Sequence, residues 1–275
     1  MKSPIDISTV DFDPDKIRMY DLHVLLGEKE SSMVIHDPRA NAFLRFRYAP
    51  LQAPEAFESW IKDAFQQPFR ETRVLISDSP HVLFPSSLFD RQRIAQAYSF
   101  HHEYQDSEDM LMFDTIKQPS SQLIFKIPNA IHKVMQQSLG RFSWLHQVSA
   151  LLAGLQKDLG DAPVLALFPQ GNQVQLFFFV QGQLVFENAF VHEAHEDILY
   201  FTLAVLDQFE QNPKQVELRL FGEIQRMDAL KELLMKYILE VRMGQRPSYF
   251  DYDATMDAIP SHLFYPLFSS PLCEF

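Results

Sequence analysis

His192-Glu193-Ala194-His195-Glu196-Asp197 places two imidazoles and three carboxylates within six residues, which is ligand chemistry for a divalent metal. The spacing argues against it. The histidines are three apart, whereas the H-E-x-x-H metal helix puts them four apart on one face with the glutamate between. Acidic residues opening a helix, where they meet the positive end of its dipole, account for the run without a metal. His101-His102-Glu103, followed by Asp106, Glu108 and Asp109, reads as a solvated polar loop. Cys273 is the only cysteine, so no internal disulfide can form, and no base stands near it in sequence to make it a nucleophile. It reads as a packed residue of the tail. The chain contains no Gly-x-Ser-x-Gly elbow, Walker loop or dinucleotide fingerprint. No catalytic residue and no metal ligand is expected.

Bulk properties narrow the partners. The chain carries 24 basic and 36 acidic side chains, a net charge of −12. Nucleic-acid affinity rests on neutralising phosphates, so none is expected here. Anionic membrane surfaces are disfavoured for the same reason. The first residues lack a signal-peptide core, and no apolar run approaches the ~20 residues of a membrane span, so the expected location is cytoplasmic. Hydrophobic residues at 47% indicate a folded globule. Only 8 glycines in 275 residues leave little backbone suited to cradling phosphate.

The elements that would position any site follow from apolar periodicity. Leu22–Leu26, Ser32–His36 and Ala42–Tyr48 read as three strands, Pro54–Gln66 as a helix, and Arg73–Ser77 as a fourth strand. The same order recurs 142 positions later without a gap. Val164–Phe168, Val174–Val180 and Leu184–Phe190 are its strands, Asp197–Gln208 its helix, and Val216–Leu220 its fourth strand. Almost no residue is identical between the copies; what repeats is the register of turns and apolar faces, the signature of a duplicated βββαβ unit.

Between the copies, Ser86–Tyr98 reads as a helix, Met110–Ile116 and Gln122–Ile127 as strands, and Asn129–Ser138 as a helix capped by Asn129 and ended by Gly140. The segment before Tyr20 reads as a loose surface stretch. The expected domains are 1–160 and 161–275. The second ends in an aromatic tail, Leu263, Phe264, Tyr265, Leu267, Phe268, Leu272 and Phe275 among three prolines. Such a tail either docks on its own lobe or presents apolar surface to a partner.

A duplicated three-strand, helix, strand unit resembles the actin, hexokinase and Hsp70 superfamily, the actin-like ATPase or ribonuclease H-like fold. More locally, Ser77–Asp90 and the closing segment from His262-Leu263-Phe264 to Leu272-Cys273-Glu274 resemble an uncharacterised family found in Bacteroidetes, itself assigned an actin-like ATPase fold. The resemblance implies an α/β protein of two lobes, with ATP and Mg²⁺ held between two hairpin turns that carry Asp-x-Gly. It also implies a glycine pair lining the adenosine near the fourth strand of the second lobe.

Those features are degraded. The first turn reads Leu25-Leu26-Gly27-Glu28-Lys29, with leucine where the metal-orienting aspartate is expected. The second reads Leu167-Phe168-Pro169-Gln170-Gly171-Asn172, without a carboxylate and with a proline that removes a donor. The adenosine position reads Leu220-Phe221-Gly222-Glu223, with one glycine in place of two. If nucleotide binds, Gly27, Lys29, Gly171, Asn172 and Gly222 are the residues to hold it. The leading expectation is a non-catalytic binding or scaffold module with a protein partner and no cofactor. The alternative is a divergent ATPase or phosphotransferase using ATP and Mg²⁺.

Overall fold

The computed structural model describes residues 3–28, 30–50, 60, 68–77, 79–222 and 227–273. They divide into two compact units: unit 1 from Met1–Gly154, Tyr249–Ala258 and Pro266–Phe275, unit 2 from Leu155–Ser248 and Ile259–Tyr265.

Unit 1 is built on β1 (Ile5–Ser8), β2 (Asp21–Leu26), β3 (Ser31–Asp37), β4 (Ala42–Ala49) and β5 (Glu71–Ile76). An added sheet of β6 (His81–Pro85), β7 (Asp109–Ile116) and β8 (Ser121–Pro128) follows, then β9 (Ser143–His146). The main sheet runs β1-β4-β3-β2-β5-β9, antiparallel among β2, β3 and β4 and parallel from β2 to β5 to β9. Unit 2 repeats this order with β10 (Val164–Gln170), β11 (Gln173–Val180), β12 (Gln183–Val191), β13 (Glu217–Leu220) and β14 (Glu240–Met243), arranged β12-β11-β10-β13-β14 with the same senses. The duplication therefore extends to a fifth strand, β9 in one unit and β14 in the other. The protein has a duplicated α/β ribonuclease H-like core.

The strand registers refine the repeat. Leu22 pairs with Thr72, and Val164, 142 positions after Leu22, pairs with Glu217, which is 145 positions after Thr72. The fourth strand thus slips by three residues (145 − 142). The turns differ too. Leu26 opposite Ser31 leaves four residues in the first turn, while Gln170 opposite Gln173 leaves two, so the second hairpin lengthens its strands at the expense of its turn. Each copy has a register shift between its second and third strands, after Ile35 in one and after Phe178 in the other.

Among the described residues, the α-helices with defined bounds are α1 (Ile94–Ser99), α2 (Asn129–Leu139), α3 (Gln147–Asp158), α4 (His195–Gln208), α5 (Met227–Leu234) and α6 (Tyr265–Ser269). On α4, Ile198, Leu199, Thr202, Val205 and Leu206 turn one face into a core with Leu165, Leu167, Leu176, Phe178 and Leu218. Its first-copy counterpart, Pro54–Gln66, lies outside the described residues apart from Trp60, whose ring carries the Arg47 guanidinium at 5.2 Å.

Four sequence expectations need correction. Ile5–Ser8 is not a loose surface stretch but an edge strand paired with β4; it alternates exposed with half-buried residues, so its apolar signal is weak. Ser86–Tyr98 is not one helix: two short 3₁₀ turns, Ser86–Leu88 and Arg91–Arg93, precede α1. Asn129 does not cap α2 but sits inside its first turn and donates to the Ser107 carbonyl, while Gly140 ends the helix at φ +69°. The aromatic tail, read from sequence as part of the second lobe, divides. Residues 259–265 belong to unit 2, and Pro266–Phe275 belongs to unit 1. There Phe268 meets Phe43 edge-on at 5.0 Å, and β15 (Asp251–Tyr252) extends the β4 edge beyond β1.

Candidate functional site

The first phosphate-type turn lies at the C-terminal end of β2. Gly27 donates its N–H to the Glu30 carbonyl at 2.9 Å, which closes the hairpin. Leu25, where a metal-orienting carboxylate is expected, packs instead against an apolar cluster of Leu75, Leu145, Ala150 and Cys273. Burial and the Asp114 carboxylate push the Cys273 thiol up to about 12, so it stays a protonated, unreactive core group. Lys29 lies outside the described residues.

In unit 2, Pro169 is inside strand β10, opposite Val174. The two-residue turn consists of Gly171 and Asn172, both exposed, with positive φ (+59°) at Gly171 alone, as a type II′ hairpin requires. The Asn172 carbonyl accepts from the His192 N–H at 2.8 Å. Gly222 follows β13 at φ +69°, and a Cβ there would lie 2.8 Å from the Pro169 carbonyl oxygen. Its N–H donates to the His262 carbonyl at 2.9 Å. Phe221, buried beside it, fills the space in front of Gly244 and packs on Tyr265 at 4.7 Å. Each described glycine of the expected nucleotide set thus has a local role in its own unit.

A polar group that sequence reading missed gathers at the C-terminal ends of β5 and β9. The Asp114 carboxylate accepts from the His146 N–H at 2.8 Å and the Ser149 hydroxyl at 2.6 Å. Burial raises its pKa to about 7, against the pull of those two donors. Desolvation, aided by neighbouring His81, drives His146 well below its ordinary value and keeps it neutral. Its Nδ1 accepts from the Val148 N–H, which leaves Nε2–H to donate to the Ser79 carbonyl. Gln147 donates to the Ser77 carbonyl at 2.9 Å, and Ser77 donates to Leu26. These bonds tie β2, β5, β7, β9 and α3 together. Since β9 itself was not foreseen, the cluster had no frame in which to be recognised.

The His192–Asp197 run is a helix start. The Asp197 carboxylate accepts from the Glu193 and Ala194 N–H groups at 2.9 and 3.0 Å, which holds its pKa below the ordinary value. A second missed group is Asp21, His23 and His36, buried side by side on β2 and β3. Alternation hides it: the three share a face only once β2 and β3 are paired in register.

A family model described as a protein of unknown function, DUF3822, matches residues 9–241. The chain belongs to that family. The DUF3822 match stops short of the closing segment but includes the Ser77–Asp90 run. A solved Bacteroides thetaiotaomicron protein with an actin-like ATPase fold and unknown function is similar at TM-score 0.74 and 20% identity, covering 90% of this chain and 98% of that one. A PilM-PilN type IV pilus biogenesis complex is similar at TM-score 0.60 and 10% identity, covering 94% and 100%. At such identities the likeness establishes the fold: this DUF3822 chain has an actin-like ATPase fold. No curated protein matches it by sequence. Among the described residues, no helix is long and apolar enough to cross a membrane.

Proposed function

We propose that the protein is a non-catalytic member of the actin-like fold, a binding or scaffold module whose ligand is another protein. One observation carries this reading: in each unit, the chain's own C-terminal segment takes up a place that nucleotide binding would need. In unit 1, Cys273 lies in the apolar cluster against which Leu25 packs, where a carboxylate would orient hydrated Mg²⁺. In unit 2, His262 consumes the N–H of Gly222. Phosphoryl transfer depends almost wholly on positioned charge and on backbone donors aimed at the phosphates. Leu25 and Pro169 supply neither, and at the adenosine position the Gly222 N–H is already bonded.

The protein-partner half of the reading rests on the surface. Met235, Tyr237 and Leu239 expose large apolar side chains within five residues. A net charge of −12 steers association toward a neutral or basic partner face and away from polyanions. The PilM-PilN structure is one case in which a protein of this fold occurs in a complex, which supports a partner-binding role.

The test is thermal unfolding of the full chain with and without millimolar Mg²⁺–ATP. Ligand at about 100 times its Kd adds roughly 2.7 kcal/mol, which shifts the midpoint by several degrees in a chain of this size. The expected result is no shift. A rise specific to ATP, absent with inorganic phosphate, overturns the proposal in favour of a divergent nucleotide-binding enzyme. Gly27, Lys29, Gly171, Asn172 and Gly222 would then be the first positions to substitute.

A further inference from the structure

In unit 1, Asp21 and His23 occupy alternate positions of β2 and therefore share a face. His36 lies directly opposite Asp21 on β3. All three are at most 5% exposed. One ring nitrogen of each histidine and one carboxylate oxygen of Asp21 lie within 4.8 Å of one another. His36 Nδ1 is 3.9 Å from Asp21 Oδ2, too long for a hydrogen bond. Among the described residues, neither nitrogen of His36 has a hydrogen-bond partner, nor does His23 Nε2. Leaving a buried polar atom unpaired costs about 1–3 kcal/mol, so three in one spot call for a cause.

The tautomer of His23 follows from its surroundings. The Ser270 hydroxyl has one proton, and the Leu267 carbonyl lies 2.7 Å from its oxygen to accept it. The 2.7 Å contact between Ser270 Oγ and His23 Nδ1 must then be donated by the ring. With Nδ1 protonated, Nε2 carries a bare lone pair. A metal-binding imidazole has this arrangement: one nitrogen fixed by donation to a protein oxygen, the other free to coordinate. Burial, with Arg73 and His36 nearby, holds His23 well below its usual pKa, so the ring is neutral, as a ligand must be. Asp21 is ionised. Burial pushes its carboxyl up, but His36 and Arg70 outweigh burial and leave it below the ordinary value. Arg70 grips both carboxylate oxygens, at 2.8 and 2.5 Å, and fixes the carboxylate from the side. Arg70 pairs with Asp21 and Glu71, and Arg73 with Glu71, which offsets part of the positive charge that an arriving cation would meet.

We propose that Asp21, His23 and His36 form a site for one divalent transition-metal ion of the zinc class, which ties β2 and β3 to the C-terminal segment. Two imidazoles and a carboxylate suit zinc over magnesium or calcium, which take oxygen ligands. Tetrahedral bonds of about 2.1 Å put ligand atoms about 3.4 Å apart, so modest side-chain rotations from the present spacing complete the set. The fourth position falls to water. Through His23 Nδ1–H and Ser270, the ion holds Pro266–Phe275 in place, which makes its role structural. The site is independent of nucleotide binding.

The experiment is a titration of the chelator-treated full chain with Zn²⁺ by calorimetry, and with Co²⁺ by visible absorption. The expected result is one ion per chain with a higher unfolding midpoint, and cobalt bands of tetrahedral intensity. His36→Phe, which suits neighbours Phe43 and Phe250 at 5.2 and 5.5 Å, should lose the ion with its fold retained by circular dichroism. The double variant His101→Ala/His102→Ala should keep it. No binding by the native chain, or loss in the His101→Ala/His102→Ala variant with retention in His36→Phe, overturns the proposal. Should His36→Phe fail to fold, X-ray absorption of the native zinc complex decides. Two imidazoles and a carboxylate around the ion uphold the site, and any other shell refutes it.

Discussion

Gly171 and Gly222 both sit at positive φ, +59° and +69°, yet they meet different surroundings, and that difference sorts their roles. A Cβ at Gly171 would find nothing within 4 Å, so Gly171→Ala bears only the left-handed backbone penalty, about 1 kcal/mol. At Gly222 the added carbon would sit 2.8 Å from a backbone carbonyl, and β10 or the turn must shift to admit it. Gly222→Ala should cost about 3 kcal/mol or more, in the class of strained special-φ substitutions. Urea unfolding of the two variants checks this. Equal losses would mean that the approach of Gly222 to Pro169 is not a tight packing contact, and the local account of that glycine would fall. The residue types were visible in the sequence, and so was the loss of carboxylates at Leu25 and Pro169. What consumes each N–H was not, because the Gly222–His262 bond joins positions forty residues apart.

Elements joined by long-range bonds are where pH should act. Asp114 on β7 takes hydrogen bonds from the backbone of β9 and from Ser149 on α3, and its folded pKa is raised from 3.8 to about 7. A raised acid contributes stability that is complete below the unfolded pKa. That contribution is lost as pH climbs from about 4 to 7, because the unfolded chain ionises first; above 7 the loss is complete and level. Asp114→Asn keeps an oxygen for both donors and removes the titration. Relative to the native protein, the variant should gain several degrees of midpoint between pH 5 and 8, on the order of a few kcal/mol. Parallel pH curves for the two proteins would show that Asp114 does not titrate in this range. Strands with strong apolar content, β2 to β4 and β10 to β12, were legible from sequence, with the turns that separate them. The short and half-polar strands β1, β6, β9 and β15 were not, since an edge or two-residue strand is defined by its partner more than by its own pattern. The Asp114 cluster draws on β9 and stayed hidden with it, while the Asp21 cluster needs the β2–β3 register, which strand patterns alone do not set.

At the scale of the whole chain, the last seventeen residues serve both units in turn. Ile259–Tyr265 completes unit 2, where Leu263 and Tyr265 are buried, and Pro266–Phe275 then completes unit 1, where Leu267 and Phe268 are buried. Sequence order suggests that a C-terminal tail belongs to the lobe it follows, and the duplicated pattern reinforces that grouping. The apolar faces decide otherwise, because Phe43 and Phe46 on the unit 1 sheet need a cover that β1 to β5 do not provide. A chain ending at Tyr265 therefore separates the two roles. It keeps every residue of unit 2 and deprives unit 1 of Phe268, of the Ser270 bond to His23, and of Cys273 from the Leu75 cluster. Losing one large buried aromatic alone costs about 3–5 kcal/mol, a sizeable part of the stability of an ordinary domain. Hydrogen exchange should show β2, β3 and β5 losing protection in the truncated chain while β10, β11 and β13 keep theirs. Protection lost equally in both units would mean that they unfold as one body, and loss confined to β10–β14 would assign the tail to the second unit after all.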